Sequence, residues 1–158
     1  MDCALGMVCT KHAQPEESLP KALQEMAKLS LQYSPDPCFI RHVDSDTLMY
    51  TNEACGCLFG YTEREMLGQR TCLFFTPEER DKLCVILRNR LKFHKDGHPC
   101  TTKDGRIVYV LFSRTSYNAH GAPSNRKGSP TTWQLVRMTD ITFLREREQM
   151  RMQALLCK

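Results

Sequence analysis

Histidine and cysteine are the residues whose types and spacing could do metal or redox chemistry in this chain. His94, His98 and Cys100 form an H-x3-H-x-C pattern, and Cys55 and Cys57 could add two thiolates. A structural zinc site needs about four such ligands held in a tetrahedron. Nothing in the sequence indicates that the two groups meet in space, so we predict no metal site.

The chain contains nine cysteines. Their number is odd, their spacings are irregular, and residues 1–10 lack the basic start of a secretory leader. This usage is typical of reduced thiols in an intracellular protein, many of them acting as small apolar fillers. We therefore expect an intracellular location, cytoplasm or nucleus, and no disulfide framework. Cys55 and Cys57 lie two residues apart on a predicted short helix, so one should be buried and the other exposed.

Catalytic patterns are absent from the sequence. It contains no GxSxG, no phosphate loop and no HExxH. Its acidic residues fall at predicted caps and turns, where structure alone explains them; examples are Glu65, Glu79, Asp104 and Asp140. We predict that the chain is not an enzyme and has no catalytic residues.

The elements that would position these side chains are best marked between residues 52 and 68. A short β-prone run ends just before Asn52, which can cap a following helix. Gly60 tolerates the left-handed conformation common just past a helix end. Thr62, with Glu65 three residues later, predicts a capping box and a second short helix. Two short capped helices should therefore follow a strand directly.

This arrangement resembles the PAS domain family, in which a run of the form N-x-A…L-x-G-Y-x-x-x-E-x-x-G follows the second strand. A capped helix from Thr76, a turn at residues 103–105 and a closing segment at 140–142 match in the expected order. The motifs together span residues 35–142. The resemblance implies an α+β PAS fold, in which a five-stranded antiparallel sheet carries short helices and one long helix on one face. The run itself stands here as Asn52, Ala54, Leu58, Gly60, Tyr61, Glu65 and Gly68.

Four segments follow from this reading. They are a flexible tail at residues 1–17, an amphipathic flanking helix at 18–33, the PAS domain at 34–142 and a C-terminal, coiled-coil-like linker helix at 143–158. Residues 94–99 are predicted to form a turn after the long helix. The strands are predicted at Cys38–Val43, Leu48–Thr51, Cys100–Lys103, Arg106–Asn118 and Trp133–Ile141.

In PAS proteins the long helix lies across the sheet and walls a ligand cavity. The resemblance implies that Cys72, Phe74, Leu87 and Gln134 are the cavity candidates here. The flavin-binding light-oxygen-voltage subclass carries its reactive cysteine three residues after a glycine that corresponds to Gly68. That position holds Thr71 in this sequence, and the expected strand asparagine is missing, so a flavin is disfavoured.

Haem in PAS domains usually binds a histidine of the long helix. This helix has no histidine inside it, and His94 lies at or beyond its end. We therefore expect no bound cofactor. Flavin and haem remain as alternatives.

Two flanking segments carry apolar side chains at helical spacing. In the segment 18–33 they include Leu23, Met26 and Tyr33, and this stripe must be covered by the chain's own sheet or by another copy. In the last segment Phe143 and Met150 fall at heptad spacing, with a charged residue in the same seam. We predict these five as interaction residues.

Charge and hydropathy limit the partners. The net charge of +4 is spread along the chain, so direct nucleic-acid binding is not expected. No stretch is long and apolar enough to span a membrane. We predict a regulatory module that forms homodimers or binds another PAS-containing or regulatory protein, in a transcriptional or kinase pathway. The alternative is a ligand, redox or light sensor that holds flavin, haem or an apolar metabolite in the PAS cavity.

Overall fold

The computed structural model describes residues 18–88, 95–124 and 128–157, without the side chains of 83–85 and 87–88. The predicted tail at residues 1–17 lies outside the described residues. Every helix in the described part is too short or too polar to cross a bilayer.

The described residues form five α-helices and one five-stranded antiparallel sheet in the order β2-β1-β5-β4-β3. The α+β fold expected from the resemblance is therefore confirmed. A π-helical segment, Ala27–Leu31, continues the first helix, and a 3-10 helix occupies Thr71–Phe74. The strands are β1 (Cys38–His42), β2 (Thr47–Thr51), β3 (His98–Thr101), β4 (Ile107–Tyr117) and β5 (Trp133–Asp140). The α-helices are α1 (Lys21–Met26), α2 (Glu53–Phe59), α3 (Glu63–Met66), α4 (Pro77–Arg88) and α5 (Thr142–Leu156).

One face of the sheet, called the inner face, packs against α2, α3, the 3-10 helix and α4. Ile86 of α4 contacts this core, and its carbonyl accepts a hydrogen bond of 3.3 Å from Arg114 of β4. The long helix therefore lies across the sheet, as predicted. The largest buried side chains of this layer are Phe39, Leu48, Phe59, Met66, Phe74 and Met138.

The outer face of the sheet is covered in part by the N-terminal helix. Leu23, Ala27 and Leu31 recur every four residues, share one helical face and are all buried. They pack against Ile40, Tyr117, Trp133 and neighbouring strand residues. Of the two covers that the sequence allows for this stripe, the structure shows the chain's own sheet.

The helical crossover begins and ends as predicted. Asn52 caps α2 through its side chain, which accepts from the backbone N–H of Cys55. Gly60 ends α2 with φ 78°, a conformation that a side chain with a Cβ rarely adopts. Thr62 and Glu65 form the predicted capping box around α3.

Asn52 also joins three segments that are distant in sequence. Its Oδ1 accepts a second hydrogen bond of 3.0 Å from the N–H of Cys38, where β1 begins. Its Nδ2 donates to the carbonyls of Leu31 at 3.1 Å and Asp36 at 2.9 Å. The side chain is 4% exposed, so these bonds form away from water.

Lys103 provides a second long-range connection. Its backbone N–H donates at 2.8 Å to the carbonyl of Phe59 at the end of α2. Its Nζ lies 2.5 Å from Oε1 of Glu65 in α3. The predicted turn between β3 and β4 is therefore attached to the crossover helices.

Several predicted boundaries are corrected. Strand β3 begins at His98 rather than Cys100, because Pro99 lies on an edge strand, where its missing N–H does not interrupt the ladder. The N-terminal helix covers Lys21–Leu31 rather than 18–33. The central strand of the sheet is β5.

The role of Asn52 yields a prediction about stability. Replacing Asn52 by Ala removes the cap of α2 and leaves buried backbone groups unpaired, so the free energy of unfolding should fall by about 2–4 kcal/mol. Asn52→Asp keeps the cap of α2 but replaces the Nδ2 donor by an oxygen that faces the carbonyls of Leu31 and Asp36, so it should also destabilise the protein. Urea denaturation measures the change. Thr62→Ala, which removes an exposed cap, is the control and should cost about 1 kcal/mol; equal losses at the two caps would contradict the prediction.

Candidate functional site

A buried polar network lies on the inner face of the sheet. The guanidinium of Arg41 in β1 donates to Oε1 of Gln134 in β5, from Nε at 3.0 Å and from Nη2 at 2.7 Å. Its Nη1 donates to Oδ1 of Asp46 at 2.8 Å. Arg41 is 2% exposed and Gln134 1%, so the network is almost completely removed from solvent.

Asp46 extends the network to the 3-10 helix. Its backbone has φ 53°, a left-handed conformation that aspartate tolerates better than most residues. Its carboxylate accepts from Oγ1 of Thr71 at 2.7 Å and 2.9 Å. A buried cation thus has a carboxylate partner, and the arrangement joins β1, the β1–β2 turn, β5 and the 3-10 helix.

The structure describes the side chains of three of the four predicted cavity residues. Gln134 belongs to the network. Phe74 is buried with its ring stacked on that of Phe59, at 4.3 Å between centroids and 23° between planes. Cys72 is disulfide-bonded. The side chain of Leu87 lies outside the described residues.

These residues do not fit the flavin chemistry of the light-oxygen-voltage subclass. Adduct formation needs a free thiol, and neither Thr71 nor the disulfide-bonded Cys72 supplies one. The amide oxygen of Gln134, the one residue that matches the subclass, already accepts two hydrogen bonds from Arg41.

Metal and haem ligands are also not assembled in the described part of the chain. His98 is 4% exposed in β3, with Nδ1 3.7 Å from Oε2 of Glu79. His94, the other histidine of the H-x3-H-x-C pattern, lies outside the described residues. Among the described residues, no cluster of three His, Cys, Asp or Glu could hold a metal ion.

Cys55 and Cys57 divide as their spacing predicts, since Cys55 is buried and Cys57 exposed. Burial raises the pKa of Cys38 to about 11 and the pKa values of Cys55 and Cys100 to about 12. These three thiols therefore stay protonated and behave as apolar fillers.

The disulfide at Cys72 corrects the expectation that all the cysteines are reduced. Cys38, Cys55, Cys57, Cys100 and Cys157 are free thiols. Sequence spacing gave no warning of the disulfide, since such a bond depends on the distance between two residues in the fold.

The predicted interaction residues fall into two groups. Leu23 is 2% exposed and packs on the sheet of its own chain, so it is not available to a partner in this structure. Met26 is half-buried, with its sulfur 3.7 Å from the hydroxyl of Tyr117. Tyr33, Phe143 and Met150 are exposed by 84%, 67% and 62%.

Helix α5 is attached to the sheet at its beginning. The backbone N–H of Tyr109 donates to Oγ1 of Thr142 at 3.0 Å, and Ile141 donates to the carbonyl of Tyr109 at 2.8 Å. The guanidinium of Arg145 lies 5.3 Å from the centre of the Tyr109 ring. No residue of the 15-residue helix is buried, so α5 leaves the sheet without being packed on it.

Helix α5 exposes more apolar surface than the heptad pattern indicated. The additional side chains lie away from the seam of Phe143 and Met150, and their exposed fractions range from 56% to 83%. A count of apolar residues in the segment, without regard to heptad position, would have found them. They are Leu144, Met152, Leu155 and Leu156.

Comparisons with known proteins agree with this architecture. A family model described as PAS domain matches residues 35–142. No curated relative matches the chain by sequence. Among solved structures, the chain is similar to the PAS domain of a Colwellia psychrerythraea protein, with 18% identity, a TM-score of 0.59 and coverage of 76% of this chain and 97% of that one.

Two further structures are similar to this chain. The PAS domain of the fruit-fly ELK potassium channel shares 16% identity at a TM-score of 0.57, over 76% of this chain and 97% of that one. An RNA-binding light-oxygen-voltage receptor shares 19% identity at a TM-score of 0.61, over 94% of this chain but 42% of that one. At these identities the similarity shows the fold alone.

The thiol environments predict a pattern of chemical labelling. At pH 8 a thiol with a pKa of about 11 or 12 is ionised in fewer than ~1 molecule in 1000. Iodoacetamide should therefore modify the exposed Cys57 and Cys157 first, and Cys38, Cys55 and Cys100 only after denaturation. Peptide mass spectrometry distinguishes the sites, and early modification of Cys55 in folded protein would contradict the assignment.

The interior also predicts the colour of the protein. We expect no bound flavin or haem, so the purified protein should have no visible absorption band. An absorbance spectrum checks this, and mass spectrometry of a denatured extract checks for a colourless ligand. A flavin or haem spectrum at stoichiometric amount would overturn the expectation.

Proposed function

This chain belongs to the PAS domain family, and we propose that it works as a protein-interaction module in which α5 is the contact element. PAS domains are signalling and sensor modules, so the chain is a domain of that kind. The observation that carries the proposal is the exposure of α5. Its 15 residues include no buried side chain, and six of them are large and apolar.

The physical argument concerns helix stability. Isolated helices shorter than roughly 12–15 residues are marginal in water, and most helical stability in proteins comes from packing. Helix α5 is of about this length and makes few contacts beyond its first turn. Burying the Phe143 and Met150 side chains against another polypeptide would contribute about 1.5–3 kcal/mol each.

The attachment of α5 makes it suited to transmit a signal. It follows β5 directly and is hydrogen-bonded to β4 through Tyr109 and Thr142. A partner that moves the helix therefore acts on the central strands, and a change in the sheet acts on the helix.

The partner is either a second copy of the chain or another PAS-containing or regulatory protein. The N-terminal helix already covers the outer face of β1 and β5. Of the two flanking helices, α5 therefore has the larger exposed apolar surface. A module of this kind would act inside the cell, in a transcriptional or kinase pathway. The occurrence of a similar domain in a potassium channel supports a place in signalling without fixing the pathway.

A charge placed on α5 tests the proposal. Met150→Glu should raise the dissociation constant of a homodimer at least about tenfold, because the carboxylate would replace a buried apolar side chain. Sedimentation velocity over a range of protein concentrations measures the association. Leu29→Glu is the matched control, because Leu29 is 85% exposed on the N-terminal helix and the same change there should leave the association unaltered.

Hydrogen exchange shows whether association protects the backbone amides of α5. Amides of residues 146–156 should be protected in the associated protein and exchange rapidly in Met150→Glu. If the chain stays monomeric at all concentrations and the α5 amides are still protected from exchange, then α5 is stable without a partner. That result would contradict the proposal.

A further inference from the structure

The N-terminal helix is a thin cover on the outer face of the sheet. It consists of six α-helical residues, Lys21–Met26, and five π-helical residues, Ala27–Leu31. Three of its side chains are buried, those of Leu23, Ala27 and Leu31. An isolated helix of this length is marginal in water, so contact with the sheet must supply most of its stability. Two leucines and an alanine offset only part of the entropy that is lost when the segment is ordered.

Two hydrogen bonds join the residues of this helix to the strands and to the cap of α2 in the described part of the chain. Nδ2 of Asn52 donates to the carbonyl of Leu31 at 3.1 Å, and the hydroxyl of Tyr117 donates to the sulfur of Met26 at 3.7 Å. Sulfur is a weak acceptor. The helix is therefore held mainly by its apolar contacts.

The surface beneath the helix contains the single tryptophan of the chain. Trp133 of β5 is 1% exposed, and its Nε1 is buried without a hydrogen-bond partner in the described structure. A buried donor without a partner costs free energy, which water would restore if it reached the indole. The covered arrangement thus carries a local penalty that is removed when the helix leaves.

We propose that the N-terminal helix is a detachable cover, which leaves the outer face of β1 and β5 while the sheet and its inner layer stay folded. Proteins open in cooperative units, and a unit with few buried contacts opens most easily. The inner layer has its own aromatic core of Phe39, Phe59 and Phe74. The described residues of that core include none from the helix, so its packing does not require the cover.

Opening would change which surface the domain presents. Ile40, Trp133 and Leu135 would become an exposed apolar patch on β1 and β5, and large patches of this kind mark contact sites. The helix is then an element with two arrangements, one that hides the patch and one that presents it. The inference does not depend on the contact proposed for α5, because Trp133 begins β5 whereas α5 follows its end.

Three buried thiols report the two layers separately. Cys38 belongs to the cluster beneath the helix, whereas Cys55 and Cys100 belong to the inner core. All three are free and 0% exposed, so each reacts only when the structure around it denatures. Iodoacetamide modification over a range of urea concentrations, read by peptide mass spectrometry, measures these openings. Each rate is divided by the rate of the same thiol in the fully unfolded chain.

Cys38 should react before the two thiols of the inner core. Without urea, its normalised rate should exceed those of Cys55 and Cys100 at least about tenfold. This ratio should fall toward one as urea approaches the midpoint of global unfolding, because a local opening exposes less surface and depends less on urea. Hydrogen exchange at the amides of residues 25–31 should show the same weak dependence on urea.

Two matched leucine truncations test which layer controls each thiol. Leu31 of the helix and Leu48 of the inner core are both 0% exposed. Leu31→Ala should speed the modification of Cys38 at least about thirtyfold, because loss of a buried leucine disfavours the covered arrangement. Leu48→Ala should speed modification at the inner thiols and leave Cys38 unchanged. Circular dichroism confirms that each variant is folded.

Two results would overturn the proposal. Equal normalised rates at Cys38, Cys55 and Cys100 at every urea concentration would show that the helix leaves only when the whole domain unfolds. A Leu48→Ala variant that speeds Cys38 as much as Cys55 would show the same. The first measurement uses the unaltered protein, so it decides the question even if Leu31→Ala fails to fold.

Discussion

The side chain of Asn52 connects the parts of this domain. It is an amide with both an acceptor and a donor, and both are used inside the protein: Oδ1 receives the N–H groups of Cys38 and Cys55, and Nδ2 reaches the carbonyls of Leu31 and Asp36. The end of the N-terminal helix, the start of β1 and the start of α2 are thereby fixed relative to one another. Aspartate, serine and threonine can cap a helix equally well, but none of them supplies the amide donors.

A buried charged network joins β1, β5 and the 3-10 helix on the inner face of the sheet. Arg41 is paired with Asp46 and hydrogen-bonded to Gln134, so the cost of burying its charge is offset by several short contacts. A buried ion pair contributes little net stability, but loss of one partner is expensive because it leaves the other charge unpaired. In the described part of this domain, Gln134 is therefore held in place by its neighbours. The surface proposed for partner binding, on α5, lies outside this buried network.

Features set by local chemistry could be predicted from the sequence, and features set by the fold could not. The caps at Asn52 and Thr62 and the left-handed Gly60 follow from short patterns, and the structure has them where expected. Arg41 and Gln134 are 93 residues apart, and no spacing rule connects them. The stripe that includes Leu23 was recognised as apolar, but the sequence left its cover open between the sheet and another copy.

Helices α3 and α5 are joined by a series of contacts. Glu65 of α3 is paired with Lys103, in the turn between β3 and β4. Strand β4 follows that turn, and its Tyr109 is hydrogen-bonded to Thr142 of α5. Contacts alone do not transmit a signal; transmission needs an element with two arrangements that both sites bias. Helix α5 meets that requirement if it is packed in a complex and unpacked without one, because the same helix then has two states of different stability.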